Sequence, residues 1–231
     1  MALLSVEMTI VLCLFLIALI TFLYITRKIF IQNKTSFDDR VFAYLKSHVS
    51  DRNSNVMEFF TFLGTHTFLI PANLVLIAYF LFVKKNKWYS IKVPAIALSS
   101  LGLMFLLKHS FNRERPSIPL LQQAAGLSFP SGHALMSVTF YGLIIYLIFK
   151  SYRDREWKWV PIAFLIILIL VIGFSRIYLR VHYASDVLAG YCIGFLWLVF
   201  AIWLLNRLEK YSQHKLAPVV ENEAPPATAP A

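Results

Sequence analysis

Six apolar runs, at about 6–26, 66–83, 90–107, 132–149, 157–175 and 186–205, occupy most of the 231 residues. Each approaches the roughly 20 residues a helix needs to cross a bilayer. The expected fold is therefore all-α: a polytopic membrane protein with six transmembrane helices. Composition agrees, since only 15% of residues are charged, where a soluble domain carries about 25%. The first run, Met8 to Ile25, is longer than the ~7–15-residue core of a signal peptide. It also lacks a basic start and a small-residue cleavage site, so it is read as a span.

The connections differ in character. The longest, 27–65, contains "FDDRVFAYLKSHVSD" and "NVMEFFTFLGT", with apolar residues at helical spacing and charges between them. Short helices lying at the interface between spans one and two fit that pattern. The tail from Leu216 is rich in Pro and Ala without apolar period, a composition that does not fold alone. The expected division is a six-span domain at 1–207 and a disordered, cytoplasmic Ala/Pro-rich tail at 208–231. Cys13 and Cys192 both fall inside apolar runs and read as buried small hydrophobes, not a disulfide.

Net charge is +10. No basic helix or aromatic-basic sheet pattern lies outside the spans, so the charge points to anionic headgroups and not to nucleic acid. Loops 84–92 and 150–158 and the tail carry eleven Lys and Arg, and the other loops carry eleven as well. Five of the second set sit in the polar clusters described below, and setting them aside leaves eleven against six. By the positive-inside rule both termini are then cytoplasmic.

Parity needs no such count. With six spans, the ends of the third and fifth and the starts of the fourth and sixth share one face. Three polar clusters sit at those positions: Lys108 through Arg115-Pro116, "PSGH" at Pro130–His133, and "SRIYLRVHYASD" at Ser175–Asp186. Each has a plain reading. Cations at a helix mouth snorkel to headgroups, "PSGH" is a helix cap with a chance histidine, and His182 with Asp186 is an interfacial pair. Each also has a chemical reading. Pro130 and Ser131 end one segment and cap the next, and Gly132 leaves the amides of a helix N-terminus open to an anion. An Asp that fixes one imidazole nitrogen leaves the other free to attack.

Together the clusters favour chemistry. Lys108, Arg115 and Arg176, a helix N-terminus, two histidines and Asp186 on one face would match the charge of a bound anionic group without a metal. Phosphoryl transfer rests mostly on such positioning and charge matching. One histidine can attack phosphorus while the other protonates the leaving oxygen.

These residues resemble the three signatures of the type-2 phosphatidic acid phosphatase superfamily, K-x6-R-P, P-S-G-H and S-R-x5-H-x3-D, at every defined position. The motifs cover 108–116, 130–133 and 175–186, and the six-span layout extends the likeness less specifically over 1–207. The resemblance implies that Lys108, Arg115 and Arg176 bind phosphate oxygens, with further contacts from Ser131 and the Gly132 N–H. It implies His133 as acid for the leaving group, His182 as the nucleophile forming a phosphohistidine, and Asp186 as its orienter, with no metal or cofactor. The membrane setting implies a lipid phosphate as substrate. The chain is similar to small bacterial members acting on undecaprenyl pyrophosphate or phosphatidylglycerol phosphate at the outer face of the cytoplasmic membrane. Transfer to a lipid acceptor such as lipid A, or a polyprenyl-phosphate binder or transporter, are the alternatives. The substrate and the oligomeric state are left open. Arg113 and Arg180 lie next to the defined motif positions without being among them, and one of them is expected to meet a second phosphate, unless Arg113 pairs with Glu114 and Arg180 snorkels. Asn73, Ser137 and Thr139 are expected to bond between helices, and His48 and His66 to lie at the interface.

Overall fold

The computed structural model describes residues 6–117, 120 and 126–216, and their regular structure is entirely helical. Among the described residues there are eight α-helices: α1 (Val6–Thr26), α2 (Ser36–Lys46), α3 (Asp51–Phe62), α4 (His66–Ala78), α5 (Lys87–Phe111), α6 (Gly132–Ser151), α7 (Trp159–Tyr178) and α8 (Ala184–Tyr211). Six helical stretches among the described residues are long and apolar enough to span a bilayer. The second of them runs from Asp51 to Val83, so α3 and α4 form one stretch that breaks at the turn Leu63-Gly64-Thr65.

The helices are layered by their surroundings. α1 is apolar on every side and leaves most of its large side chains on the outside of the bundle, as suits a helix facing hydrocarbon. α6 is central, packed on α5, α7 and α8. Its tightest seam is with α8, where glycines four apart bring the two backbones together. A Cβ at Gly190 would lie 2.7 Å from the Ser131 carbonyl oxygen, and one at Gly194 would lie 2.8 Å from that of Leu135. Small residues at this spacing let helices pack where lipid offers no hydrophobic drive.

The two ends of the bundle differ. At one end Glu7 lies 3.8 Å from Arg153 in the α6–α7 connection, and Lys92 of α5 pairs with Glu209 of α8 at 2.6 Å. Lys92 also donates to Asn206 at 2.6 Å. At the other end, Phe22 and Phe30 pack on Phe111 and Phe129 with ring centroids 4.8–6.4 Å apart. This second end carries the three polar clusters. α2 and α3 brace it: Leu45 packs on Tyr178, Leu179 and Val181. The Tyr178 hydroxyl donates to the His48 carbonyl at 2.8 Å and accepts from the Ser50 N–H at 3.2 Å.

Three expectations change. α8 and a following π-helical turn run on to Leu216, past the expected boundary at 207. The segment "NRLEKY" continues with good helix formers, and Lys92 ties Asn206 and Glu209 into the bundle; the tail beyond Leu216 lies outside the described residues. Cys13 faces outward from α1 instead of being buried within the bundle, and both cysteines are free. Asn73 and Thr139 bond to the carbonyls of Leu69 and Met136 on their own helices and not across helices. Ser137 Oγ is buried without a partner.

Candidate active site

The site is built where α5 and α7 end and α6 and α8 begin. Asn112 closes α5 in the left-handed conformation (φ 45°), which asparagine tolerates better than most residues. The chain then turns away, leaving Lys108 in the last helical turn and Arg115 beyond it. Lys108 Nζ donates to the Leu127 carbonyl. Arg115 donates to the carbonyls of Gly126 (2.9 Å) and Val181 (2.7 Å), and its Nη1 stands 3.4 Å from His182 Nε2. Burial lowers the proton affinity of Arg115 from its ordinary value.

Ser131 takes the N-cap position of α6 but makes no side-chain cap bond. Its N–H donates to the Asp186 carbonyl at 3.0 Å, which pins the start of α6 to the start of α8. The first amides of a helix have no intrahelical acceptor, so those of α6 are available to an anion. Among the described residues six side-chain atoms are buried without a hydrogen-bond partner, and three belong here: Ser131 Oγ, His133 Nε2 and Arg176 Nε. Buried polar atoms are normally satisfied; a cluster of unsatisfied donors and acceptors at one place is able to receive a polar guest. The other nitrogen group of Arg176 is held, Nη1 donating to Thr61 of α3 at 2.7 Å. α3 thus aims a guanidinium that α7 alone would leave loose.

His182 stands in the turn before α8, not on the helix, and is 1% exposed. Its Nδ1 lies 3.7 Å from Asp186 Oδ2, too long for a hydrogen bond. Ser128 fills the gap. Its hydroxyl is 3.3 Å from Nδ1 and donates to Asp186 Oδ2 at 2.5 Å. The same carboxylate oxygen accepts the Tyr183 N–H at 3.0 Å, so Asp186 also caps its own helix. With a proton on Nδ1 shared toward Ser128, Nε2 presents its lone pair to the space beside Arg115. Burial, reinforced by Arg115 and Arg176, lowers the His182 pKa to about 4.

A groove of about 510 Å³ starts here and runs down between α4 and α5. Lys108, Arg115, Gly132, His133 and His182 line its polar end, while Leu69, Leu101 and Met104 are among its apolar walls. Ile70, Leu74 and Leu98 at its edges are 57–68% exposed, so the groove opens sideways, toward lipid.

All eight expected site residues, Lys108, Arg115, Ser131, Gly132, His133, Arg176, His182 and Asp186, therefore gather at one end of the bundle. The expectations for Arg113 fail. Arg113 neither pairs with Glu114 nor faces the groove; it is bound to Asp38 and Asp186. Arg180 lines a separate cavity of about 340 Å³ with Asp39, Lys46 and Tyr183. His66 lines the groove, and His109 bonds the Phe105 carbonyl of its own helix. Sequence reasoning missed Asp38, Thr61 and Ser128. A weak signal existed for Asp38, a carboxylate on the predicted helix of the 27–65 segment.

The fold and these helix ends define a class: multi-span helical membrane proteins with a cationic, anion-receptive cluster at one face of the bundle. Comparison with known proteins narrows it. A sequence model of the PAP2 superfamily matches residues 88–210, and the chain belongs to that family. It is 30% identical over 162 residues to phosphatidylglycerophosphatase B of Bacillus subtilis, covering 69% of this chain and 79% of that protein. It is 33% identical over 90 residues to an undecaprenyl-diphosphatase of Sulfolobus acidocaldarius, 39% of each. The crystal structure of a transmembrane PAP2-type phosphatidylglycerolphosphate phosphatase from Bacillus subtilis superposes with a TM-score of 0.73 at 25% identity, covering 89% of this chain and 98% of that one.

Proposed function

We propose that this chain is a membrane lipid phosphatase that removes a phosphate or pyrophosphate headgroup through a phosphohistidine intermediate. Undecaprenyl pyrophosphate and phosphatidylglycerol phosphate are the favoured substrates, matching the named activities of the relatives. One observation carries the reading: a single groove joins an anion-receptive end, with unsatisfied Ser131, His133 and Arg176 atoms beside it, to an apolar channel open to the bilayer. A soluble phosphate ester would have no use for the channel, and a lipid without a charged head no use for the cations.

The mechanism follows from the positions. Lys108, Arg115 and Arg176, with the leading amides of α6, hold the equatorial phosphate oxygens and spread their charge. His182 Nε2 attacks phosphorus and a P–N bond forms as the P–O bond to the lipid breaks. The leaving oxygen takes its proton from His133 Nε2. Water then attacks the phosphohistidine, giving up a proton to His133, and inorganic phosphate departs. The cationic charge needed is supplied by side chains, so chelators are expected to leave the rate unchanged.

The catalytic end lies opposite the end that carries Glu7 and Glu209. With the basic loops in the cytoplasm, the site faces the cell exterior or periplasm, and α2 and α3 lie at that interface. Phosphate release by purified protein over a panel of lipid mono- and diphosphates tests the reading. His182→Ala is expected to abolish release, and full release by that variant would sink the mechanism. Mass spectrometry of the lipid products separates water from a lipid as the acceptor.

A further inference from the structure

Asp38 and Arg113 occupy no defined position of the three motifs, yet they are buried against those positions. Asp38, on α2, is 1% exposed. Its Oδ1 accepts the Ser185 N–H at 2.9 Å, and its Oδ2 accepts the Ser185 hydroxyl at 2.6 Å. Arg113 Nη2 donates to the same Oδ2 at 2.9 Å. Its Nη1 donates to Asp186 Oδ1 at 2.5 Å and to Ser185 Oγ at 2.9 Å. The guanidinium also lies over the Tyr183 ring, 4.0 Å from its centroid. One cation thus sits between two buried carboxylates, held by four hydrogen-bonding or stacking partners.

Buried ion networks contribute little net stability, because desolvation offsets most of the attraction. Bracing α2 against α8 would be done as well by apolar contacts. What apolar contacts cannot do is fix the orientation and charge of Asp186. That carboxylate turns one oxygen to Arg113 and the other to Ser128, which faces His182. We infer that Arg113, anchored by Asp38, is a positioning residue for the phosphoryl-transfer step: it locks the Asp186 carboxylate and divides its charge between guanidinium and imidazole. The inference rests on the phosphatase reading of the same site.

The two members of the pair act in opposite senses. Without the Arg113 charge, Asp186 turns wholly to the imidazole, which then holds its proton more tightly. Without the Asp38 charge, Arg113 is left to Asp186 alone, and the imidazole holds its proton less tightly. The other charged or titratable groups around His182 are Arg115 after α5, Lys108 on α5, His133 on α6 and Arg176 on α7. They are the same in both variants, and so is the titration of the substrate.

The test compares wild type, Arg113→Gln and Asp38→Asn as purified full-length protein, assayed for phosphate release across pH. Vanadate inhibition probes the phosphate cradle separately. Arg113→Gln is expected to lower kcat about 10–100-fold, as loss of an orienting group does, while vanadate inhibition changes less than about 3-fold. Its acid limb of kcat/KM moves to higher pH by about half a unit or more, and that of Asp38→Asn stays at or below the wild-type position. In an Asp186→Asn background, Arg113→Gln costs less than about 3-fold more, because coupled residues are not additive. Wild-type kcat in Arg113→Gln, limbs of both variants moving up together, or full additivity with Asp186→Asn overturns the inference. Should Arg113→Gln not fold, Asp38→Asn alone decides: a limb moved upward rejects the idea. A wild-type protein that releases no phosphate removes the underlying reading instead, an outcome that the variants cannot mimic.

Discussion

At the scale of single residues, the site depends on an imidazole kept neutral. His182 is buried, and Arg115 and Arg176 add to the effect of burial in lowering its pKa to about 4, against the smaller opposing pull of Asp186. An unperturbed histidine titrates near 6.5. If His182 is the nucleophile, as proposed, the free enzyme keeps it unprotonated down to about pH 4, and the acid limb of kcat/KM attributable to His182 is expected there. A limb centred at or above 6.5 for a substrate that does not itself titrate in that range would contradict this. The sign for stability is the same: the unfolded chain takes up this proton first. The fold keeps its full contribution from His182 above pH ~6.5 and loses it as pH falls toward about 4. Ser128 supplies the link that Asp186 is too far away to make. Ser128→Ala is expected to lower kcat about 10-fold, the equivalent of one hydrogen bond of about 1.4 kcal/mol, with KM little changed. An unaltered kcat would show that the hydroxyl has no part in orienting the imidazole.

Helices decide whether those residues meet, and the α6–α8 seam matters most, because Ser131 and Asp186 begin the two helices that form it. Backbone approaches at Gly190 and Gly194 leave no space for a side chain. Gly194→Val is expected to separate the helices and to cost about 1–3 kcal/mol through overpacking, lowering the thermal midpoint in detergent and the activity together. Gly102 on α5 is the matched control: a Cβ there meets nothing within 4 Å. Gly102→Ala is expected to leave activity unchanged and stability equal or higher, by up to about 1 kcal/mol of helix propensity. The seam also shows what could be read in advance. The six spans were legible because a bilayer imposes one length on every crossing helix. The gathering of the three polar clusters was legible because polar residues at the ends of apolar runs are few, and parity puts them on one face. The overrun of α8 was not, since it is set by tertiary contacts such as those of Lys92 with Asn206 and Glu209. Asp38, Thr61, Ser128 and the true partners of Arg113 escaped for a related reason. Asp38 meets Ser185 across 147 residues, and Arg113 meets Asp186 across 73, and no local spacing rule spans such distances.

For the molecule as a whole, the bundle is asymmetric about the bilayer, with chemistry at one end, ion pairing at the other and a groove that leads sideways from the first. On the proposed function, the groove lets a lipid present its head to His182 without leaving the membrane: its tail would lie between α4 and α5 while the phosphate reached the cations. Ala97 lines the apolar part of this groove, away from the polar end. Ala97→Phe adds a ring where the lipid tail would run. The ring occupies groove space and does not touch the phosphate cradle. KM for a long-chain lipid phosphate is therefore expected to rise about 10-fold or more, the loss of about 1.4 kcal/mol of tail contact. Turnover of a short-chain, water-soluble phosphate ester is expected to stay within about 2-fold of wild type, since it needs only the polar end. If both substrates suffer equally, the substitution has distorted the helices; Leu101→Trp, one turn along the same face of α5, then separates the cases. Equal KM for long and short substrates in both variants would mean that the lipid tail reaches the site by another route.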